Sequence, residues 1–366
     1  MSVIAIVILI FSLLGAVDYL IGNKIGVGKE FAKAFSLFAP MALSMLGMIV
    51  IAPAIGVWLT PLFDAFYKLL RLDPSIIPAS LFANDMGGMS LAQIVAKSSD
   101  IGNYNAFIIS SMMGCVISFT IPFSIGLVHK DRHRELFFGL LCGIATIPIG
   151  GFIAGLICKI NVLMLLVNLI PLIVVAAGII VALIYVPSAC IRCFTVLGSC
   201  MRVLGIVGLA CSIFTFLTKI EISPYFDTFE NAAFICANAC ITLSGALPLM
   251  FLATKLLQKP LDKAGKLIGV NSISTLALLG TLVTNASAFG VSDKMDKKGL
   301  VLNSAFAVSA SFVFGSHLAF TMAFDDSYVL PMIVAKLIAG VCAIALVLLV
   351  YKDDKADAKS GEVSIP

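Results

Sequence analysis

Charge is scarce in this chain: Asp, Glu, Lys and Arg together make up 12% of its 366 residues. A soluble globular domain carries roughly a quarter. Half that supply cannot coat a globule of this size, but it can furnish short loops between buried helices. No polar stretch is long enough to form a separate soluble domain. Histidine is rarer still, at three residues, and no HExxH or GxSG pattern occurs. Gly28-Lys29 lacks the GxxxxGK spacing of a phosphate loop, so nothing here supports ATP-driven transport. Met1-Ser2-Val3 brings no positive charge to the N-terminus, and no small-x-small site is followed by a soluble domain. Residues 2–21 therefore read as a retained first helix. The net charge of +4 sits in loops, which argues against a nucleic-acid partner.

What is abundant is apolar, at 60% of residues with a mean hydropathy of +1.10. Crossing the hydrocarbon takes about 20 consecutive apolar residues. Eleven such segments can be marked, at 2–21, 34–58, 74–95, 105–128, 136–158, 162–186, 194–218, 229–254, 271–291, 300–324 and 329–351. The fold class expected is an all-α polytopic membrane protein. The stretch at 352–366 is expected to be a short, charged, disordered cytoplasmic tail. Most of the ten cysteines lie inside apolar runs, where cysteine acts as a small hydrophobe. Cys190 and Cys193 form a lone CxxC with no second pair, short of the four ligands of a zinc site. No metal or cofactor is expected, and so many free thiols point away from an oxidising compartment.

Two segments differ from the rest. The segment at 74–95 carries Pro78, Asn84, Asp85, Gly87 and Gly88 in its middle, and that at 271–291 carries Asn285 among small and hydroxylated residues. Broken backbone at membrane depth survives only when buried in protein or lining a wet cavity. The two also look like copies. A shift of 201 aligns Asn84 with Asn285, Lys97 with Lys298, Ser110 with Ser311, Gly114 with Gly315 and Thr120 with Thr321. We therefore expect two repeats, 1–158 and 193–351, joined by a connecting helix at 159–192.

Charge suggests how they are oriented. If both unusual segments are hairpins that leave on the side they entered, one face gathers Lys24, Lys29 and Lys33, then Lys130, Arg132 and Arg134, then Arg192, and finally the lysines of 255–266 and 294–298. The other face keeps only Lys68, Arg71, Lys97, Lys159 and Lys219. The basic face is cytoplasmic by the positive-inside rule, with the N-terminus outside and the C-terminus inside. The repeats are then inverted, a recurring transporter plan.

Asp85 is the most informative single residue. A carboxylate inside an apolar segment costs a few kcal/mol or more, so it faces either a partner or a wet pathway. Asn84, Gly87 and Gly88 offer an amide and a bendable backbone, and together the group suits a small cation. A structural ion pair with Lys336 is the competing reading. Asn285 is the symmetry-related candidate, facing Asn84 or capping a broken helix. His317 shares its segment with Ser309 and Ser311 and either reads pH or bonds a neighbour. Asp18 reads as interfacial, and Arg202 as snorkelling to a membrane surface.

Five stretches resemble one family: NDMGG at 84–88, TIPIG at 146–150, QKPLDKAGKLIGVNSI at 258–273, MDKKGLVLNSAFAVSASF at 295–312 and PMIVAKLIAG at 331–340. They are similar to the ethanolamine utilisation membrane proteins, the ethanolamine permease family, over nearly the whole chain. Departures stand at Asn84, where that family has cysteine, at Ser316, where it has aspartate, and at Ser287, in a region where it has a proline. The resemblance implies facilitated entry of protonated ethanolamine through a bacterial cytoplasmic membrane, most needed at low pH, with no enzymatic step. The substrate-binding set expected from the residues and the repeat is Asp85, Asn84, Gly87, Gly88, Asn285, Ser110, Ser311 and His317, of which Asp85, Asn285 and His317 also carry over from the resemblance. Membrane lipid is the surrounding partner, and the sequence leaves a homo-oligomer open. The alternatives are a carrier coupling another small amine or an amino acid to H⁺ or Na⁺, and a membrane-embedded enzyme.

Overall fold

A computed structural model of the chain describes residues 2–352, and the expected tail falls almost wholly outside them. Helix is the only regular structure among the described residues. Among the described residues, eight helical stretches are long and apolar enough to cross a membrane, which makes this a multi-pass membrane protein. The first is α1 (Val3–Leu20), whose 18 residues rise ~27 Å, close to the ~30 Å of a hydrocarbon core. Asp18, near its end, is buried in the protein. Its carboxylate accepts the N–H groups of Ile25 at 2.8 Å, Gly26 at 3.0 Å and Gly28 at 2.8 Å, and so starts the short α2 (Val27–Ser36). Gly22 and Gly26 turn the chain between them with φ of 89° and 95°, which suits glycine.

The segment expected at 34–58 runs further than its hydropathy suggests. It winds through Phe38–Met41 and a wide turn at Ala42–Leu46 into α3 (Gly47–Leu70). Beyond it the region around 74–95 is broken. It consists of α4 (Ile76–Leu81), an irregular stretch, and α5 (Gly88–Val95). Its two ends lie together, because the Asp73 carboxylate accepts the N–H groups of Lys97 at 3.0 Å and Ser98 at 2.9 Å. The six residues of α4 rise only ~9 Å, so the segment doubles back well short of a full crossing.

Next come α6 (Ser99–Leu127), α7 (His133–Ile157), α8 (Val162–Tyr185), α9 (Pro187–Thr218) and α10 (Phe229–Ile268). Wide π-turns interrupt α6 at Asn105–Gly114 and Val116–Thr120. Helix α7 is the central post. Added Cβ atoms at Gly139 and Gly143 would strike the carbonyls of Val301 and Ala305, and one at Gly150 that of Ala335. Small residues let membrane helices approach this closely. The Thr146 hydroxyl donates across the last contact to the Ala339 carbonyl at 3.0 Å. Helix α8 is held to α6 by the buried amides of Asn105 and Asn168, which exchange hydrogen bonds of 3.1 and 2.8 Å.

The second unusual segment is likewise broken. Its first arm is α11 (Ser272–Thr281), followed by a single turn at Ala286–Phe289. The Asp296 carboxylate holds its ends together, accepting the Asn271 N–H at 3.0 Å and the Ser274 hydroxyl at 2.9 Å. The segment expected as one helix at 300–324 is also broken, and this the sequence did not suggest. It divides into α12 (Lys297–Ala310) and α13 (Ser316–Phe324), with Phe312 between them at φ 61°. The N–H groups freed by this break donate to the first unusual backbone of the second half: Phe312 to the Thr281 carbonyl at 3.2 Å, and Phe314 to that of Leu282 at 2.8 Å. Broken backbone is tolerated at depth when other protein satisfies it. Helix α14 (Val329–Val350) closes the bundle against α7.

Candidate functional site

The site forms where three broken elements meet. At the tip of the first doubled-back segment, the N–H groups of Met86 and Gly88 both donate to the Ala83 carbonyl at 3.0 Å. The Ala83 N–H donates to the Ser118 hydroxyl of α6 at 3.1 Å. Gly87 turns the tip at φ 87°, where an added Cβ would sit 2.7 Å from the Met48 methyl. A Cβ on Gly88 would strike the Phe82 carbonyl. The two glycines therefore shape the turn rather than offer side chains. The Asn84 amide oxygen accepts the Asp85 N–H at 2.9 Å, while its nitrogen is buried without a partner. This fold of the tip carries the Asp85 carboxylate into a cavity of about 520 Å³.

Asp85 and His317 both line that cavity, together with Ser316. The Ser316 hydroxyl lies beside the Asp85 carboxylate. His317, at 1% exposure, keeps Nδ1 without a partner, and its ring sits 5.2 Å from that of Phe312. Helix α13 thus brings its first two residues against the tip of the first segment, more than two hundred positions away in sequence. Helix α6 contributes Cys115, Ser118, Phe119, Pro122 and Phe123, and α9 contributes Thr195, Gly198, Ser199 and Arg202.

Lys336 does not form an ion pair with Asp85. It is fully buried in α14, and its ammonium donates to the Ser111 carbonyl at 2.5 Å, a group exposed by the π-turns of α6. Asp85 takes part in none of the ion pairs among the described residues. The remaining expected residues sit behind the cavity rather than on its wall. Asn285 is fully buried; its amide nitrogen donates to the Thr120 hydroxyl at 3.1 Å and its oxygen has no partner. Ser311 is fully buried with an unpartnered hydroxyl, as are Ser309 and Thr321. Ser110 turns its hydroxyl to the Ala106 carbonyl of its own helix and does not line the cavity. Buried polar groups are satisfied in most proteins, and of these unpartnered groups the His317 imidazole is the one on the cavity wall.

Arg202, expected at a membrane surface, is exposed and also lines the cavity. Thr195, Ser199 and Arg202 follow a helical i, i+4, i+7 spacing, a signal legible in the sequence once α9 is placed.

The profile of the family described as "Ethanolamine utilisation protein, EutH" matches residues 1–350. A Listeria monocytogenes protein named "Probable ethanolamine permease EutH" is 39% identical over 345 residues, covering 94% of this chain and 92% of that protein. Proteins of the same name from Salmonella typhimurium and Escherichia coli K12 are 34% and 33% identical, each covering at least 98% of both chains. No solved structure matches. A match that runs through both broken segments and through every helix that lines the cavity leaves one conclusion: this chain belongs to the ethanolamine utilisation protein EutH family.

Proposed function

We propose that this protein is an ethanolamine permease that carries the protonated amine through the Asp85 cavity, with no chemical change to its cargo. The observation that carries this reading is the placement of one carboxylate and one unpartnered imidazole nitrogen on the wall of a single cavity at the meeting of broken helices. The names of its relatives agree with it. Neutral ethanolamine can leak through lipid, whereas its ammonium form cannot cross without a charge partner. A protein path therefore matters most at low pH. Asp85 and Ser316 take the ammonium, and His317 meets the hydroxyl. Asn84, Asn285 and Ser311 support the wall from behind.

The same reading takes the chain to be two inverted repeats in a bacterial cytoplasmic membrane, with the N-terminus outside, the C-terminus inside and lipid around the outer helices. The clamps at Asp73 and Asp296 support two hairpins, and the distribution of basic residues supports their entry from opposite faces.

Labelled ethanolamine uptake into proteoliposomes tests the function. Saturable, protein-dependent uptake is expected at acidic and neutral pH, and its loss in Asp85→Ala, with leakage at alkaline pH unchanged. Uptake no faster than that of empty liposomes sinks the ethanolamine reading. Full acid-pH uptake by correctly inserted Asp85→Ala sinks the role of the carboxylate.

A further inference from the structure

The cavity holds more than a cation site needs. Ethanolamine has two carbons, one nitrogen and one oxygen, whereas ~500 Å³ is within the range that accommodates drug-sized ligands. A volume of about 520 Å³ corresponds to a sphere about 10 Å across. The surplus is not purely apolar. Arg202 stands on the wall contributed by α9, sixteenth of that helix's 32 residues and so near its middle. No ion pair among the described residues includes it. Its side chain is exposed rather than packed among neighbours, and because it lines the cavity its guanidinium is open to whatever enters there. Its one charged neighbour on the cavity wall is Asp85, and Asp85 already has the Ser316 hydroxyl beside it.

A guanidinium is a poor wall for a site meant only for cations, because it repels them. It is a good one for a carboxylate or phosphate, which its planar fork binds through paired, charge-assisted hydrogen bonds. One cavity thus offers an anion and a cation on different elements, α9 and the tip between α4 and α5.

We infer that the cavity also takes zwitterions, small amines that carry a carboxylate or phosphate, with Asp85 on the ammonium and Arg202 on the anion. The inference rests on the reading of Asp85 as the ammonium partner, and it assigns Arg202 as the residue that sets which amines enter. The phosphate form of this chemistry has two sources, a free phosphorylated amino alcohol and an ethanolamine-type lipid headgroup.

The test has two arms. In the first, detergent-solubilised protein is melted with β-alanine, O-phosphoethanolamine, or propionate, which lacks the amine. The two zwitterions are expected to raise the melting temperature of the wild type, propionate is not, and the rise is lost in Arg202→Gln and in Asp85→Asn. This arm needs no ethanolamine transport, so failed ethanolamine uptake beside a zwitterion-dependent rise would sink the permease reading alone. In the second arm, β-alanine and O-phosphoethanolamine compete with labelled ethanolamine in phosphatidylcholine vesicles. The ratio of each competitor's inhibition constant to the half-saturation for ethanolamine is expected to rise at least about tenfold in Arg202→Gln, since hydrogen bonds to charged groups are of that order. Arg202→Lys, which keeps the charge and loses the fork, is expected to fall between. Adding phosphatidylethanolamine to the vesicles reads the lipid source, seen as an Arg202-dependent fall in uptake. No zwitterion effect on the wild type, or an effect equal in Arg202→Gln, overturns the inference.

Discussion

The Asn285 side chain donates to the Thr120 hydroxyl at 3.1 Å across 165 positions of sequence. The bond ties the turn of the second doubled-back segment to the π-turned part of α6. Thr120 has a second neighbour in the Cys115 thiol, 3.7 Å away, and Cys115 lines the cavity. A chain of polar contacts therefore runs from the second half of the molecule to the wall on which ethanolamine is proposed to rest.

Asn285→Ala and Thr120→Val should each destabilise the protein by about 1 kcal/mol, the net value of a neutral buried hydrogen bond. The double substitution should cost less than the sum, with a coupling of about 0.5–1 kcal/mol. Denaturation in detergent measures this. Additive costs would show that the bond is not formed in solution.

The clamps at Asp73 and Asp296 give a second prediction, about topology. Single cysteines placed at Lys68 and Lys97 should react with an impermeant thiol reagent from one side of the membrane, and those at Lys259 and Lys294 from the other. The labelling is done in a chain without its reactive native cysteines. Asp73→Asn keeps the shape of the clamp but weakens its charge-assisted bonds to Lys97 and Ser98, at an expected cost of about 1–2 kcal/mol. Labelling of Lys68 and Lys97 from opposite sides would turn the first hairpin into a crossing.

How much of this was legible in the sequence depended on whether a residue's effect is local. Asn84, Asp85, Gly87 and Gly88 announce a break because each disfavours an apolar helix on its own account. Asp85 and His317 could likewise be singled out, since charge and imidazole at depth need a reason. The break after Ala310 could not be read, because Ser311 and Phe312 are compatible with helix. What pulls them out is the pair of carbonyls at Thr281 and Leu282, supplied by a distant turn. The same holds for Lys336, whose partner is a carbonyl that the π-turns of α6 expose rather than the Asp85 carboxylate. Arg202 could be assigned to a surface or to a cavity only once the face of α9 that meets α6 was known.

A third prediction concerns the layer next to the cavity. Met48, Ile51 and Met201 form a buried cluster that packs against Met86 on the cavity wall and against Phe226. Phe226 lines a second cavity of about 270 Å³ that also holds Lys219, Glu221, Asp227 and Glu230. This apolar cluster thus packs against a wall residue of each cavity. Met201→Ala should cost about 2–5 kcal/mol as a buried truncation, and should also raise protein-dependent water permeability in stopped-flow measurements on proteoliposomes. A stability loss with no change in permeability would leave the layer a packing feature only.

The last prediction concerns charge balance at depth. Lys336 is fully buried, bonds a backbone carbonyl, and is near enough to Asp85 for the two charges to influence one another without touching. Replacing it with methionine keeps the length of the side chain and removes both the ammonium and the donor to Ser111. The Asp85 carboxylate then loses the buried cation nearest it on α14, and the cost should fall below the ~3–5 kcal/mol of breaking a buried pair in contact, because the two groups do not touch. Lys336→Met should therefore lower the melting temperature sharply, and Asp85→Asn placed in the same chain should restore part of the loss. Lys336→Arg, which keeps the charge, should lose less than Lys336→Met. Recovery in the double variant would show that the two buried charges stabilise one another. A double variant no more stable than Lys336→Met would instead assign the whole cost to the Ser111 carbonyl and leave Asp85 balanced by whatever cation enters the cavity.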